Sequence, residues 1–242
     1  MSDNRPYPRA RVFHTPYNLR SKVSTNRYSI AGYPSLYLGT SLELCCKEIK
    51  ADPNKDPTIA AAFKFERTIE YTNTNIQVIE LGVKPQDFLS IQEKNERDRR
   101  YIPRELMENI NIRSAFLLWY PLIAACSFIR INKSDPFAAE YIIPQLLMQW
   151  VRSGIESNDS DGYDQLIGIR YFSCDSVKAS NMGFNYVFPT SGRQKSVKLP
   201  YCTVLAKAFR ITNPVYIHEY NSISECEREL TQSDDFDFVS NA

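Results

Sequence analysis

Short stretches of alternating apolar and polar residues occur toward both ends of the chain, whereas longer apolar stretches with helical spacing occupy its middle. Phe63 and Phe65 alternate with polar neighbours, and after an Asn/Thr-rich turn Ile76, Val78 and Ile79 form a second apolar run. This pattern predicts two strands joined by a loop. Further strands are predicted for the sequences SLYL, LIGIRYFS, FNYVFP, TVLAKAFRI and PVYIHEY.

Helices are predicted for the apolar middle of the chain. RSAFLLWYPLIAACSFI predicts a buried helix that is bent or broken at Pro121. FAAEYIIPQLLMQWVRSG predicts a second helix, with Pro144 at its start or at a kink and Gly154 as its C-terminal stop. Residues 86–100 start with a helical pattern and become charged, and residues 157–162 form a polar loop. Strands at both ends and helices between them indicate an α+β fold with a mainly antiparallel sheet.

The helix predicted after SLYLGT has a defined start and one apolar face. Thr40 is the predicted N-cap with Glu43 as its capping-box partner, and Glu43 can pair with Lys47 on the solvent side. The apolar face consists of residues spaced i, i+3, i+4 and i+7, namely Leu42, Cys45, Cys46 and Ile49. Glu48 lies on the flank of this face. Two interpretations of Glu48 stay open: a partly buried carboxylate that points into a cleft, or a residue at the core border that pairs with an arginine.

The strand before this helix adds an aromatic residue to the same corner. If the two leucines of SLYL face the core, Tyr37 faces the opposite side. The turn at Gly32–Pro34 can bring Arg27 next to Tyr37 and Glu48. An arginine suits a phosphate or ribose, a tyrosine ring suits a flat heterocycle, and a carboxylate stabilises positive charge at a sugar carbon. The three residues together describe a site for cleaving the N-glycosidic bond of a nucleotide.

Length and charge limit the organisation of the chain. With 242 residues and a hydrophobic share of 43%, it suits one globular domain, with or without a small addition. The net charge of +1 gives no indication of nucleic-acid binding. Basic residues crowd the start and acidic residues the end, so residues 1–10 are predicted to be an irregular arm and residues 224–242 an acidic tail, solvated at least over its last dozen residues.

Other function classes find little support in the sequence. The first 20 residues lack an apolar signal-peptide core, and no apolar run is long enough for a bilayer, so a cytoplasmic protein without membrane contact is expected. Six cysteines without paired spacing predict free thiols. The two histidines, His14 and His218, have no metal-ligand spacing, so no metal is expected. No glycine-rich phosphate loop supports a Rossmann or P-loop fold.

The stretch RYSIAGYPSLYLGTSLELCCKE resembles the core motif of RES-domain proteins, the toxin halves of RES–Xre toxin–antitoxin systems. Arg27, Tyr37 and Glu48 match the Arg, Tyr and Glu of that motif, and Ser173 in GIRYFS matches its Ser. YIIPQLLMQW, FNYVF and FHTPYNLR resemble further segments of the family. The resemblance defines a RES domain over residues 11–223.

The resemblance implies a fold similar to ADP-ribosyltransferases, with a split β-sheet flanked by helices around an NAD cleft. It implies that NAD is consumed as a substrate, by hydrolysis or with phosphate as co-substrate, in a growth-arresting toxin or defence effector. Glu48 would stabilise an oxocarbenium-like transition state, Arg27 would hold a phosphate or ribose, Tyr37 would pack on nicotinamide, and Ser173 would donate a hydrogen bond to the dinucleotide.

Five further residues are candidates for contact with NAD: Arg20, His14, Tyr28, Gln145 and Asn185. Arg20 and His14 are candidates for phosphate or ribose, whereas Gln145 and Asn185 match family positions, and of their two interpretations, ligand contact or structural amide, the structural one is favoured for both. An Xre-like antitoxin and a second copy of the chain are candidate partners.

Two other functions stay open at this point. One is a mono-ADP-ribosyltransferase that modifies a macromolecule, and the other is a non-catalytic nucleotide-binding module. The products formed from NAD would separate these from a glycohydrolase or phosphorylase.

Overall fold

The computed structural model describes residues 7–53, 55–66, 76–84, 112–130, 132, 134–135, 137–157, 165–174, 179–191 and 200–239. Helices and strands are both present, and the α+β class expected from the sequence is confirmed. The described strands form three separate sheets of four, two and three strands. The charged stretch at residues 86–100 and most of the polar loop at residues 157–162 lie outside the described residues.

The strands and helices are numbered in chain order. The strands are β1 Ser35–Gly39, β2 Ile59–Ala60, β3 Phe63–Phe65, β4 Ile76–Leu81, β5 Gln165–Phe172, β6 Phe184–Pro189, β7 Phe209–Ile211, β8 Val215–Tyr216 and β9 Asp237–Phe238. The α-helices are α1 Leu42–Ile49, α2 Ile112–Ser127, α3 Ile142–Ser157, α4 Thr203–Ala208 and α5 Ile223–Gln232. Short 3-10 helices cover Arg9–Val12, Tyr17–Lys22, Ala139–Tyr141, Ala179–Asn181 and Ile217–Glu219.

The largest sheet has the strand order β1-β6-β5-β4. Strand β6 runs antiparallel to both of its neighbours, and β4 pairs with β5 in parallel. Strands β2 and β8 form the two-stranded sheet, and the order β3-β7-β9 forms the third. The mainly antiparallel pairing agrees with the sequence pattern, and the β4–β5 pair is its exception among the described strands.

Both faces of the largest sheet are covered, because successive side chains of a strand point to opposite sides. Phe188 packs into a cluster with Leu36, Leu205 and Phe209, whereas its neighbour Val187 packs into a cluster supplied by α2 and α3. A third cluster joins α1, α5 and the two-stranded sheet. Strand β1 contributes Leu36 to the first of these clusters and leads into α1, which contributes Cys46 to the third.

Two predicted element boundaries were wrong, and the structure also shows where two prolines lie in their helices. The stretch TVLAKAFRI is helix α4 followed by the short strand β7, because its first half packs as a helix in the Phe209 cluster. Gly154 lies inside α3, which continues to Ser157. Pro121 lies inside α2, which is not broken there. Pro144 lies in the first turn of α3, where a missing N–H costs nothing, so it begins the helix and does not kink it.

Helix α2 is only half buried, which corrects the prediction of a buried helix. Ile123 and Cys126 face the core, but Leu117 and Leu118 are 70% and 80% exposed. Helix α3 adds exposed residues to the apolar surface, including Trp150 at 61% exposure. None of the described helices combines the length and apolar character needed to cross a membrane.

The acidic tail is part of the fold, which corrects the prediction of a solvated arm. Cys226 and Leu230 of α5 are buried against α1, and β9 pairs with β7. Arg9, in the basic N-terminal segment, forms an ion pair with Asp235 and lies 3.9 Å from a carboxylate oxygen of Asp237. The basic start and the acidic end of the chain therefore bind each other. The predicted domain limit at residue 223 divides this packed region.

Candidate active site

A cleft of about 590 Å³ opens where β1, β5 and β6 meet helix α1 and the 3-10 turn before α3. It is lined by Asn26, Arg27, Tyr37, Leu38, Gly39, Cys45, Glu48, Ile49, Lys50, Arg130, Tyr141, Tyr171, Cys174 and Asn185. The structure therefore brings together three of the four residues predicted as catalytic, Arg27, Tyr37 and Glu48. It adds Arg130 and Tyr141, to which the sequence analysis assigned no role.

Arg27 and Tyr28 occupy a tight turn and point in different directions. The backbone groups of Asn26 and Ser29 bond each other in both directions, at 2.9 and 3.1 Å, which closes a two-residue loop around Arg27 and Tyr28. Arg27 lines the cleft, whereas Tyr28 is fully buried and packs against Tyr171 with ring centroids 4.7 Å apart. Tyr28 thus anchors the turn in the core and is not a ligand-contact residue, which corrects its assignment.

The side-chain amide of Gln145, on α3, is hydrogen-bonded to this turn. Its Nε2 donates to the carbonyl oxygens of Asn26 at 2.9 Å and Ser29 at 3.2 Å. Gln145 therefore serves as a structural amide, as one of the two sequence interpretations held. These hydrogen bonds tie α3 to the turn that carries Arg27.

Tyr37 offers its ring to the cleft while its hydroxyl is anchored. The side chain is 38% exposed, and Leu36 on the opposite face is buried, as the strand alternation predicted. The hydroxyl is 2.7 Å from the hydroxyl oxygen of the buried Ser29. Burial of the hydroxyl raises the pKa of Tyr37 to about 12, while the Ser29 hydrogen bond opposes this shift. Tyr37 is therefore a neutral, fixed aromatic surface at neutral pH.

Helix α1 begins one residue later than predicted. Ser41 is the N-cap, and its hydroxyl oxygen accepts a 3.2 Å hydrogen bond from the Leu44 N–H. Thr40, the predicted cap, instead pairs with the start of β6: its hydroxyl oxygen accepts from the Phe184 N–H and its own N–H donates to the Phe184 carbonyl, both at 2.9 Å. The Thr40–Glu43 capping box was therefore wrong.

The buried side of α1 also differs from the predicted apolar face. Leu44 and Cys46 are buried, whereas Ile49 is 66% exposed and Cys45 lines the cleft. Glu43 and Lys47 are both exposed and form no ion pair with each other. The helix is thus rotated with respect to the predicted stripe, because its neighbours α5 and β6 decide which side is covered.

Glu48 faces the cleft from the last turn of α1. Its Oε1 accepts a 2.7 Å hydrogen bond from the side-chain amide of Asn185, in the second position of β6. Glu48 is exposed, so the expected partial burial was wrong, but the expected direction toward a cleft is confirmed. Its partner in the described part of the chain is this amide and not an arginine, which decides between the two interpretations left open by the sequence.

Two backbone positions near Glu48 have special requirements, Gly39 at the end of β1 and Lys50 at the end of α1. A Cβ added at Gly39 would lie 2.7 Å from Sγ of Cys45 and 3.5 Å from Oδ1 of Asn185, so only glycine fits there without displacing the wall. Lys50 ends α1 with φ of 56°, and it is the one non-glycine residue with positive φ among the described residues. This left-handed cap places a lysine at the cleft beside Glu48.

Two cysteines line the cleft without the character of nucleophiles. Burial raises the pKa of Cys45, and it also raises the pKa of Cys174, although the Arg27 charge opposes the shift at Cys174. Both thiols are therefore protonated at neutral pH. All six cysteines are free, as predicted from their spacing.

The charge of the cleft is uneven. Arg27, Lys50 and Arg130 are cationic, and Glu48 is the one carboxylate among the lining residues. Within the described part of the chain, neither Arg27 nor Arg130 has a carboxylate within ion-pair distance. A surface with three cationic side chains and one carboxylate favours an anionic ligand.

A second, mainly apolar cavity lies beside the cleft. It has a volume of about 750 Å³ and shares Tyr37, Leu38, Gly39, Cys45 and Ile49 with the cleft. Its wall includes several aromatic rings, Phe63, Phe65, Tyr186, Phe188 and Phe209. The two cavities therefore border the same part of β1, the first lined by charged side chains and the second mainly by apolar ones.

Three other predicted site residues do not line the cleft, namely Ser173, Arg20 and His14. Ser173 is buried, and it is its neighbour Cys174 that lines the wall. Arg20 is exposed on the 3-10 helix Tyr17–Lys22 and is not a lining residue.

His14 is 3% exposed; its Nδ1 donates to the Thr15 carbonyl at 2.8 Å and its Nε2 accepts from the Cys202 N–H at 2.9 Å. Burial lowers the pKa of His14 to about 4, so it is neutral and cannot serve as a phosphate-binding cation at neutral pH.

The fold and the site together define an α+β protein with a cleft that is lined by cationic, carboxylate and aromatic side chains. Among the described residues, no group of three or more His, Cys, Asp or Glu side chains is placed to hold a metal ion.

A protein of Bacillus subtilis (strain 168), named "Putative toxin YopC", is 29% identical to this chain over 224 residues. The aligned region covers 90% of this chain and 45% of that protein, so the chain spans somewhat less than half of the relative's length. No family model matches the chain, and no solved structure matches it.

Proposed function

We propose that this protein is a RES-type toxin that degrades NAD by breaking the bond between nicotinamide and ribose. The observation that carries the proposal is the Glu48–Asn185 pair, which holds a carboxylate in the same cleft as Arg27 and Tyr37. The similarity to a protein named as a toxin supports the toxin role, and the resemblance of the Arg27–Glu48 motif to RES proteins supports the reaction.

The residues of the cleft suit this chemistry. When the bond from nicotinamide N1 to ribose C1 breaks, the electron pair leaves with nicotinamide as a neutral base, and positive charge develops on the ribose. A carboxylate held at 2.7 Å by an amide is already oriented to stabilise that charge. Water then bonds to C1 and releases a proton, giving ADP-ribose, or phosphate bonds there instead.

The size and polarity of the space support a dinucleotide. Nicotinamide would stack on Tyr37, which lines both cavities. The second cavity has partly exposed aromatic side chains, Phe63, Phe65 and Tyr186, for a planar base. The arginines that line the cleft would meet the phosphates.

The test is to incubate the purified protein with NAD and to separate the products. Free nicotinamide with ADP-ribose indicates a glycohydrolase, and ADP-ribose 1″-phosphate formed only with added phosphate indicates a phosphorylase. The matched control is the Glu48→Gln protein, which keeps the shape of the site. Intact NAD after incubation with folded wild-type protein, with and without phosphate, would refute the proposal and favour a nucleotide-binding module.

One observation favours a second candidate, the transfer of ADP-ribose to a macromolecule. The exposed apolar surface of α2 and α3, with Leu117, Leu118 and Trp150, is the kind of surface that binds another protein. Radiolabel transferred from NAD to protein would identify such a transferase. If the same surface binds an antitoxin instead, co-expression of that antitoxin should relieve the growth arrest. In that case no label from NAD should appear on protein.

A further inference from the structure

Two arginines from distant parts of the chain meet at one tyrosine in the cleft. The guanidinium carbon of Arg27 lies 5.3 Å from the centroid of the Tyr141 ring, and that of Arg130 lies 5.6 Å from the same centroid. All three residues line the cleft. The ring therefore keeps two positive charges close together through cation–π contacts, which partly offset their mutual repulsion.

Both guanidinium groups are also fixed by backbone carbonyls. Arg27 donates from Nη1 to the Cys126 carbonyl at 3.1 Å. Arg130 donates from Nε to the Asn132 carbonyl at 3.1 Å and from Nη2 to the Asp135 carbonyl. Among the described residues, these contacts use some of the five N–H donors of each group and leave others for a ligand. Neutral carbonyls do not cancel the charges, so the pair keeps its attraction for anions.

We propose that Arg130, held beside Arg27 by Tyr141, is a second phosphate-binding residue and that the two arginines grip the diphosphate of the dinucleotide. This deepens the proposed function and rests on it for the identity of the substrate. A diphosphate carries two negative charges on adjacent groups, which matches two guanidinium groups better than one. Glu48 repels the same charges, so the diphosphate should bind beside the arginines and not beside the carboxylate.

The first test is kinetic. Arg130→Gln should raise the KM for NAD by roughly tenfold or more and change kcat much less, because the diphosphate is bound alike before and during bond cleavage. Arg130→Lys keeps the charge but loses the planar fork, so its KM for NAD should lie between those of the wild type and of Arg130→Gln. The matched control is Arg152→Gln, since Arg152 stacks on Tyr33 at 4.2 Å but is not among the residues lining the cleft. The control should keep the wild-type KM.

The second test measures binding without turnover. By calorimetry, wild-type protein should bind ADP more tightly than adenosine, and Arg130→Gln should remove most of that difference. Inorganic phosphate titrated alone separates a diphosphate grip from general phosphate binding. If phosphate bound as tightly as ADP and lost its binding equally in Arg130→Gln, the diphosphate assignment would be wrong.

The two tests separate this inference from the proposed function. A wild-type protein that turns over NAD while Arg130→Gln and Arg130→Lys keep its KM and its ADP affinity would overturn the arginine pair and leave the function intact. If the wild type leaves NAD untouched, a preference for ADP over adenosine that depends on Arg130 would still support the pair. Thermal unfolding of each variant checks that a change in binding is not a loss of fold.

Discussion

The side-chain amide of Asn185 donates a 2.7 Å hydrogen bond to Oε1 of Glu48 and so joins the start of β6 to the last turn of α1. Oδ1 of the same amide faces the backbone of Gly39, where an added Cβ would lie 3.5 Å from it. Strand β6 thus holds the Glu48 carboxylate in the cleft that Tyr37 and Arg27 also line. This relationship gives Glu48 a defined orientation although it is exposed.

Glu48→Gln should lower NAD turnover by about two to three orders of magnitude, because it removes one electrostatic contact made in the transition state. Binding of NAD should change much less, and this can be measured by calorimetry beside the rate. Glu43→Gln is the matched control on the same helix. Glu43 is exposed and its loss should cost at most about 1 kcal/mol of stability with turnover intact. Near wild-type turnover in Glu48→Gln would contradict the assignment.

Asn185→Leu should lower turnover by roughly tenfold, less than Glu48→Gln, because the carboxylate remains but loses the donor that orients it. The double variant should be little worse than Glu48→Gln alone, since both changes act on one interaction. The measurement is kcat for the four proteins in one cycle. Fully additive losses would mean that Asn185 acts on the substrate independently of Glu48.

Stability should fall as the pH is lowered from about 6.5 to about 4. The pKa of His14 is lowered to about 4 by burial, so in this window the unfolded chain binds a proton that the folded chain does not. At about 1.4 kcal/mol per pKa unit the loss amounts to a few kcal/mol. His14→Gln should flatten this part of a denaturant-midpoint profile. His218→Gln, which changes the exposed second histidine, should keep the wild-type slope.

Leu230→Ala should destabilise the protein by about 2–4 kcal/mol, because Leu230 of α5 is buried in the cluster shared with α1. Glu229→Ala, at the exposed neighbouring position, should change stability by less than about 0.5 kcal/mol. Both values come from urea unfolding. Equal stability of the two variants would restore the view of residues 224–242 as a solvated tail.

Local patterns in the sequence were sufficient for the features that depend on short-range physics. The alternation in SLYL placed Leu36 inside and Tyr37 toward the cleft, because successive strand residues face opposite sides. The helical period placed Glu48 on the flank of its helix, and its direction toward a cleft was one of two interpretations that the sequence left open. Glu48 was also one of the residues that carried the resemblance to a toxin family. The α+β class followed from the order of strand-like and helical stretches.

Only the tertiary structure decided which groups meet. Thr40 and Ser41 are equally good caps by composition, and Ser41 caps α1 because the Thr40 hydroxyl is taken by the backbone of β6. The acidic end of the chain is part of the fold because Asp235 pairs with Arg9 and helix α5 packs against α1. Arg130 joins Arg27 at Tyr141 through packing between segments far apart in the chain. Sequence spacing cannot show such contacts, because their geometry depends on how sheets and helices pack and not on the local backbone period.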